Sequence, residues 1–429
     1  MNETADSAPR PIPAGRSAFG SLRPPPSKSL TQRYFDLALL AATPSVVHQP
    51  LLAEDTEAYL AGLARMGCAV ERRRSGIRLT APGKPGKARI DCGAGGTMLR
   101  FMTAAACVVP GIWTLDGSPR LCRRPLAPLI AAMRGLGGRI DCLGAEGHAP
   151  LRVRGDGLVG GRVELDAGES SQYLSALLMA AARARGEVEI SVTRLTSGPY
   201  VELTLAALGE FGVEVERPAS ERYKLRPTEM AGVEIAVEAD ASAACYAGAA
   251  AALTGGRVAI VGLLPDSRQG DLGFFELLRR MGADVGWQSD RLVVTGRGGL
   301  TAITADLSAM PDQVPTLAAL APFAEGTTRI TGVPHLRLKE SDRLRAMSVE
   351  LGRLGAQVVE KPDGLEIAGV WAQDRPPGGP VEVSSHDDHR IAMSLALVGL
   401  RRAGVSVAEP QVVAKSYPAF WRDFERLLV

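Results

Sequence analysis

Six short polar clusters in this 429-residue chain each precede an almost entirely apolar stretch of helical length. The clusters recur at intervals of about 70 residues, which indicates an internal six-fold repeat. They are Ser27-Lys28-Ser29, Gly95-Gly96-Thr97, Ser170-Ser171-Gln172, Asp240-Ala241-Ser242, Asp312-Gln313 and Asp387-Asp388-His389-Arg390. The first turn of a helix has unpaired N–H groups and the positive end of the helix dipole. Several such helix starts gathered together would bind anions, so phosphates or carboxylates are the expected ligands.

Cationic side chains stand at or just before some of the predicted helix starts. Lys28 opposes the dipole of the helix that it begins, a placement that a bound anion would make favourable. Arg33 lies four residues after Ser29, on the same face of that helix. A serine-capped helix with a solvent-facing lysine is the alternative. Arg120, Arg123 and Arg124 precede a helix whose first position is proline, so an anion near Arg124 would gain from both the charge and the helix start.

A glycine-rich loop from Cys92 to Thr97 could bring backbone N–H groups close to a ligand, because glycine permits an approach that side chains would block. The loop lacks the Lys-Ser/Thr ending of a P-loop and the last glycine of a dinucleotide-binding motif. A tight turn capped by Thr97 is the alternative.

Two carboxylates have the chemistry needed to move protons. Asp312 could cap a helix with its carboxylate, and the same oxygens could accept a proton from a substrate hydroxyl, since the two roles are compatible. Glu340 stands between two cationic residues, and burial there would raise its pKa and make it a proton donor. His386 and His389 with their neighbouring aspartates have no evident third metal ligand, so we expect no metal at that motif.

The elements that would position these residues repeat with the same period as the polar clusters. Each cluster begins an apolar helix, and in most copies a β-rich run and then an amphipathic helix follow, as at 126–136 and 344–354. A glycine ends each amphipathic helix and precedes two further strands. These glycines are Gly67, Gly137, Gly212, Gly282 and Gly355, with spacings of 70, 75, 70 and 73 residues. The predicted unit is therefore helix, strand, helix, strand, strand, with sheets covering buried helices.

Length and composition favour a globular protein of two domains, with three copies in each and a crossing near 226–238. A net charge of +2 gives no electrostatic basis for binding nucleic acid or a membrane surface. No apolar stretch is long enough to predict a transmembrane span. The six cysteines have no metal-binding or CxxC spacing, so we expect reduced thiols and a cytoplasmic location.

The ordered set of motifs resembles that of the enolpyruvyl transferases, most closely the branch that acts on shikimate 3-phosphate. The motifs are Ser-Lys-Ser with Arg33, Gly-Gly-Thr, Arg-Pro, Ser-Ser-Gln, Lys-Glu-Ser-Asp-Arg, Asp-Asp-His-Arg and Ala-Lys-Ser-Tyr-Pro. The resemblance implies an α/β (α+β) fold of two similar domains, each of three βαβαββ-type units with buried parallel helices and sheets outside. It also implies that residues 1–24 cross over to join 239–429, that 25–238 form the other domain with most shikimate 3-phosphate contacts, and that the active site lies in the interdomain cleft.

The implied reaction transfers the enolpyruvyl group of phosphoenolpyruvate to the 5-hydroxyl of shikimate 3-phosphate and releases phosphate, a step toward chorismate and the aromatic amino acids. By resemblance, the catalytic residues would be Asp312, Glu340 and Lys28. Shikimate 3-phosphate would be bound by Lys28, Ser29, Arg33, Ser170, Ser171, Gln172, Ser197, Asp312 and Lys339. Phosphoenolpyruvate would be bound by Lys28, Gly96, Arg124, Gln172, Arg343, Arg390 and Lys415. We expect a monomer that needs no cofactor or metal and binds neither nucleic acid nor membrane.

Three positions depart from the family pattern. Pro26 replaces the usual Gly, and Ala94 and His335 each replace an Asn. Two alternatives remain open at this point. The first is the sister enzyme that acts on UDP-N-acetylglucosamine, which has a Cys where this chain has Pro119. The second is a non-catalytic protein that binds phosphorylated metabolites, which would not need both proton-transferring carboxylates.

Overall fold

The helices begin where the polar clusters predicted them. The structure, a computed structural model, describes residues 8–373 and 376–429. Its α-helices are α1 Lys28–Leu40, α2 Glu54–Arg65, α3 Gly96–Val108, α4 Pro119–Cys122, α5 Ala127–Gly135, α6 Gln172–Ala181, α7 Pro199–Glu210, α8 Ala241–Thr254, α9 Gly273–Arg280, α10 Val314–Leu320, α11 Arg343–Arg353, α12 His389–Arg401 and α13 Phe420–Arg426. In the fifth copy a 3₁₀ turn at Pro311–Gln313 leads into α10. The six-fold recurrence of helix starts is thus confirmed.

Short strands separate the helices in the predicted order. They are β1 Arg10–Pro11, β2 Phe19–Leu22, β3 Ser45–His48, β4 Ala69–Arg73, β5 Gly76–Thr80, β6 Gly86–Asp91, β7 Gly111–Asp116, β8 Arg139–Cys142, β9 Leu151–Gly155, β10 Gly161–Ala167, β11 Val188–Leu195, β12 Val215–Ala219, β13 Arg222–Leu225, β14 Glu234–Ala236, β15 Arg257–Val261, β16 Asp284–Gln288, β17 Arg291–Thr295, β18 Leu300–Thr301, β19 Thr304–Asp306, β20 Ala324–Glu325, β21 Thr327–Thr331, β22 Val358–Lys361, β23 Gly364–Ala368, β24 Val381–Val383 and β25 Val405–Val407.

The described chain divides into two compact units, one formed by Pro26–Val237 and the other by Glu238–Val429 with the chain up to Pro25. Each unit has its own hydrophobic core. The helices that follow the polar clusters are buried on nearly all sides, as predicted: every residue of α6 except Gln172 is buried. Helices α5 and α11 bury only one face.

The unit Pro26–Val237 contains three four-stranded sheets, with the strand orders β14-β3-β5-β4, β6-β7-β9-β8 and β10-β11-β13-β12. In each sheet the first pair is parallel and the other two pairs are antiparallel. In the second and third sheets the parallel pair flanks a buried helix, so the chain forms a strand, buried helix and parallel strand before the amphipathic helix and the hairpin. This order follows because a parallel pair needs a crossover connection.

Two strands are exchanged between distant parts of the chain. β2 comes just before α1 in sequence, but it pairs in parallel with β15 in the order β16-β17-β15-β2. β14 comes just before α8, but it pairs in parallel with β3. Without the exchange, β2 would complete the sheet that contains β3, and β14 would complete the sheet that contains β15. In the structure, each strand takes the place of the other.

The remaining sheets contain the fifth and sixth copies. The fifth copy forms β19-β21-β23-β22, and a short parallel pair joins β18 and β20. In the sixth copy β24 and β25 are parallel, and β1 pairs antiparallel with β25 in place of the usual hairpin strand. The described chain contains no helix with the length and apolar character of a membrane span.

Candidate functional site

Lys28 is the first residue of α1, directly after its cap. The Ser27 hydroxyl accepts a hydrogen bond from the backbone N–H of Leu30 at 3.4 Å. Lys28 Nζ lies 3.2 Å from Asp55 Oδ2, and its side chain is 16% exposed. The alternative of a solvent-facing lysine is therefore wrong, because this ammonium is largely enclosed beside a carboxylate at the start of a helix.

Arg33 is buried further along α1, where it joins α1 to α7 and donates through Nη2 to Ser175 Oγ of α6 at 3.5 Å. Its Nε donates to Thr204 Oγ1 at 2.8 Å, its Nη2 to the Tyr200 carbonyl at 2.7 Å, and its Nη1 to the Ser29 carbonyl at 2.8 Å. Burial is the main reason that the pKa of Arg33 falls to about 10. The guanidinium remains charged at neutral pH and draws the starts of these helices together.

The starts of α3 and α6 meet around two arginines. Arg100 Nη1 donates to Gln172 Oε1 at 2.7 Å, and Gln172 Nε2 donates to Thr97 Oγ1 at 3.0 Å. A Cβ on Gly96 would overlap Arg124 Nη1 and would lie 2.9 Å from Arg100 Nη1. Glycine at this position therefore lets the backbone and two guanidinium groups lie side by side, an arrangement suited to an anion.

Three serines predicted as phosphate ligands are buried in the same unit. Ser170 Oγ accepts a hydrogen bond from the backbone N–H of Gln172 at 3.3 Å, and Ser171 is the residue before α6. Ser197 has φ of +54° and is 6% exposed, and its hydroxyl has no hydrogen-bond partner in the described chain. A buried hydroxyl without a partner costs free energy, so Ser197 Oγ is available for a ligand atom.

In the other unit, one buried guanidinium holds three carboxylates. Arg343 Nη1 donates to Asp312 Oδ1 at 2.8 Å, and its Nη2 donates to Glu340 Oε2 at 3.0 Å. Its Nε donates to Asp388 Oδ2 at 2.8 Å. The Arg343 side chain is only 2% exposed. The two carboxylates predicted to transfer protons thus contact the same guanidinium.

Two further predicted cations contact those carboxylates. Arg390 Nη2 donates to Asp312 Oδ2 at 2.6 Å, and Lys415 Nζ lies 3.6 Å from Glu340 Oε1. Arg343, Arg390 and Lys415, the three phosphoenolpyruvate ligands expected from this unit, therefore surround the Asp312–Glu340 pair.

The charges around Asp312 control its protonation. Burial alone would raise the pKa of this carboxyl, but Arg390, Arg343 and Lys339 outweigh burial and hold the pKa well below its usual range. His335, one of the departures from the family pattern, lies in the same electrostatic environment. Burial first, and then Lys339 and Arg343, lower its pKa to about 4, so its imidazole is neutral at pH 7.

Asp312 does not cap α10, so the expected capping role is wrong. Both of its oxygens accept hydrogen bonds from arginines, and α10 has no side-chain cap. The cap of α12 is Asp388, whose carboxylate accepts from the backbone N–H of Arg390 at 3.0 Å.

Two supporting residues were not among the predicted site residues. Asp388 directly precedes His389 and Arg390 in the polar cluster, and Arg100 follows Gly96 by one helical turn. Both positions could have been recognised from helix periodicity and from the cap preference for aspartate. Within 8–373 and 376–429, no group of three His, Cys, Asp or Glu side chains has the arrangement of a metal site.

Comparisons with known proteins identify the family of this chain. A family model described as EPSP synthase (3-phosphoshikimate 1-carboxyvinyltransferase) matches residues 14–424. A 3-phosphoshikimate 1-carboxyvinyltransferase of Syntrophobacter fumaroxidans is 46% identical over 409 residues, covering 94% of this chain and 96% of that protein. One of Methanoculleus marisnigri is 40% identical over 404 residues, covering 92% and 94%.

The fold has a close counterpart among solved structures. An EPSP synthase from Acinetobacter baumannii aligns with a TM-score of 0.80 and 27% identity over 98% of both chains. The predicted mixed α/β fold and the resemblance to the enolpyruvyl transferases are confirmed, and the matched names are those of the shikimate 3-phosphate branch, not of the UDP-N-acetylglucosamine branch. The chain belongs to the EPSP synthase family.

Proposed function

We propose that this protein transfers the enolpyruvyl group of phosphoenolpyruvate to the 5-hydroxyl of shikimate 3-phosphate and releases phosphate. Each substrate carries a carboxylate and a phosphate, so the pair requires several fixed cations and hydrogen-bond donors. Each unit of the chain contains such a set, with Lys28, Arg33 and Arg124 in one unit and Arg343, Arg390 and Lys415 in the other. The family membership and the names of the relatives support this reaction.

The observation that carries the proposal is the shared contact of Asp312 and Glu340 with Arg343. The addition step joins the substrate oxygen to C2 of phosphoenolpyruvate, and a base must take the hydroxyl proton while an acid protonates the C3 methylene carbon. Asp312 is the proposed base and Glu340 the proposed acid. Elimination then breaks the bond from C2 to the phosphate oxygen, and a proton leaves the new methyl group to restore the double bond.

Ligand binding would prepare Asp312 for its role as a base. With no anion bound, the contacts of Asp312 with Arg343 and Arg390 make its carboxylate a weak base. An anionic substrate that contacts the same two arginines would compete with Asp312 for their hydrogen bonds. The pKa of Asp312 would then rise toward the range in which it can accept a proton.

The other predicted residues bind substrate in this proposal. Gly96, Arg124, Gln172, Arg343, Arg390 and Lys415 bind phosphoenolpyruvate, with Lys28 reaching both substrates. Ser29, Arg33, Ser170, Ser171, Gln172, Ser197, Asp312 and Lys339 bind shikimate 3-phosphate. The buried hydroxyl of Ser197 and the close approach of Gly96 to Arg124 support these roles.

We also propose a monomer in the cytoplasm. One chain supplies all the residues assigned above. All six cysteines are free thiols. Five of them have raised pKa values mainly because they are buried, namely Cys68, Cys92, Cys107, Cys122 and Cys245. Free thiols of low reactivity fit a reducing compartment.

The test is a phosphate-release assay on the purified protein with shikimate 3-phosphate and phosphoenolpyruvate. We expect release only when both substrates are present, and none when UDP-N-acetylglucosamine replaces shikimate 3-phosphate. Glu340→Gln should remove turnover, whereas Glu366→Gln, which changes a more exposed glutamate paired with Arg329 in the same unit, should not. If the wild-type protein releases no phosphate from the two substrates, the proposed reaction is wrong.

A further inference from the structure

The loop between β24 and α12 has an unfavourable backbone conformation directly before Asp388 and Arg390. His386 has φ of +52° and Asp387 has φ of +59°. A residue with a side chain costs about 1–3 kcal/mol in this left-handed region, so the loop needs other contacts to keep its shape. Segment 384–388 is called the α12 approach loop below.

One end of the α12 approach loop is held by Arg343, at the start of α11. Arg343 Nε and Nη2 donate to the two carboxylate oxygens of Asp388 at 2.8 and 3.3 Å. The Ser341 hydroxyl donates to Asp388 Oδ2 at 3.1 Å. Because Asp388 also caps α12, these bonds fix the point at which the helix with Arg390 begins.

The other end of the loop is held by Glu350, which is 2% exposed. Its Oε2 accepts from the backbone N–H of Ser384 at 3.2 Å, and its Oε1 accepts from His386 Nε2 at 2.8 Å. A separate bond joins the Ser385 hydroxyl to Glu409 Oε2 at 2.9 Å. Burying a carboxylate costs free energy unless hydrogen bonds compensate it, and the loop supplies two such bonds to Glu350.

Both holding residues belong to one rigid element. Arg343 and Glu350 are seven residues apart in α11, which is about two turns and places them on the same face. The helix therefore fixes the two ends of the loop at a set separation. Any slippage of the loop would move Asp388 and with it the Arg390 guanidinium, whose bond to Asp312 is only 2.6 Å long.

We propose that Glu350 and His386 are positioning residues that hold Arg390 in place for phosphoenolpyruvate, an inference that rests on the proposed function. They do not touch the reacting atoms. They act through the α12 approach loop, and their loss lets the start of α12 relax from its strained conformation. The consequence is weaker binding of the anion that Arg390 contacts, with a smaller effect on the other substrate.

The main test uses His386→Ala, because His386 is only partly buried and its removal leaves the Ser384 bond to Glu350 in place. We expect the KM for phosphoenolpyruvate to rise about tenfold, equivalent to about 1.4 kcal/mol of binding free energy. The KM for shikimate 3-phosphate should stay unchanged and kcat should change less. His386→Gln should restore most of the affinity, since its amide N–H can donate to Glu350.

Arg353→Ala is the matched control. It removes the other ion pair of Glu350, with Arg353 Nη1 2.7 Å from Oε2, but leaves the loop contacts in place. Hydrogen exchange at the backbone amides of 384–390 gives a second readout that needs no activity. We expect faster exchange in His386→Ala and no change in Arg353→Ala.

Two results would overturn the inference. The first is hydrogen exchange in His386→Ala at the wild-type rate. The second is faster hydrogen exchange with an unchanged KM for phosphoenolpyruvate, which would give the contact between His386 and Glu350 a structural role only. A wild-type enzyme that releases no phosphate would refute the proposed function instead, and the exchange comparison would still decide whether the loop is held as described.

Discussion

Replacing Gly96 with alanine gives a direct test of the proposed phosphoenolpyruvate contacts. The added methyl carbon would lie 2.7 Å from Arg124 Cζ and 2.9 Å from Arg100 Nη1, whereas ordinary contact begins at 3.4 Å. Both arginines are buried, so they have little free space in which to move away. The groups that must give way are the ends of long side chains, so we expect the fold to survive and the guanidinium positions to change.

The expected rise in the KM for phosphoenolpyruvate follows from the displacement of the Arg124 guanidinium. Its centre must move by about 0.7 Å or more, and a shift of about 1 Å at a binding group can reduce activity by as much as about 100-fold. A hydrogen bond to a charged group contributes about 1.5–3 kcal/mol, or roughly 10- to 100-fold in affinity. We therefore expect Gly96→Ala to raise the KM for phosphoenolpyruvate about 10- to 100-fold.

The assay is steady-state phosphate release with each substrate varied in turn. The KM for shikimate 3-phosphate should change little, because the added methyl group faces the two arginines and not the serines assigned to that substrate. Gly209→Ala is the matched control, since a Cβ at Gly209 in α7 meets nothing within 4 Å. An unchanged KM for phosphoenolpyruvate in Gly96→Ala would refute the reasoning.

Three other predictions concern the carboxylates and a buried serine. Asp312→Asn should lower kcat by about 10²- to 10⁴-fold while calorimetry still detects binding of shikimate 3-phosphate; near-normal turnover would exclude Asp312 as the base. Ser197→Ala should raise the KM for shikimate 3-phosphate without lowering the melting temperature, because the hydroxyl has no partner in the described chain, and a clear loss of stability would point to a structural role instead. Burial raises the pKa of Asp36 from 3.8 to about 7 despite a hydrogen bond from Tyr59, so the folded state holds this proton more tightly than the unfolded state. The contribution of protonated Asp36 to the free energy of unfolding should be present below pH 3.8 and lost as the pH rises to about 7. Urea unfolding of Asp36→Asn across that window should not show this decrease in the free energy of unfolding. If the variant keeps the same dependence on pH, the raised pKa of Asp36 is contradicted.

The local features of the fold were predictable because each has a short-range cause. Serine or aspartate caps, all-apolar helices and glycine stops recur every seventy residues or so, and the structure begins α1, α3, α6, α8 and α12 at the expected clusters. β15 and β21 correspond to the predicted β-rich runs, because in each of them β-branched residues follow a glycine turn.

Pairings between distant segments were harder to predict. Nothing in Glu234–Ala236 indicates that it pairs with β3 and not with the nearer β15, since the choice depends on where the whole chain runs. The sixth copy lacks its hairpin because β1 pairs with β25. In the candidate site, residue types predicted the ionic groups, but the network around Arg343 depends on side-chain packing that one sequence does not reveal.

The exchange of β2 and β14 determines how the gene could be rearranged. Backbone hydrogen bonds join residues 17–19 to 427–429, so these two segments lie side by side in the same unit. A gene opened at Glu238, with the old termini joined by a short linker, would encode one unit as an unbroken stretch ending at Pro25, followed by the other from Pro26 to Val237. Such a permuted polypeptide keeps every strand pairing within each unit but replaces two covalent links between the units with one. Comparing its folding and activity with those of the original chain would show what the second covalent link between the units contributes.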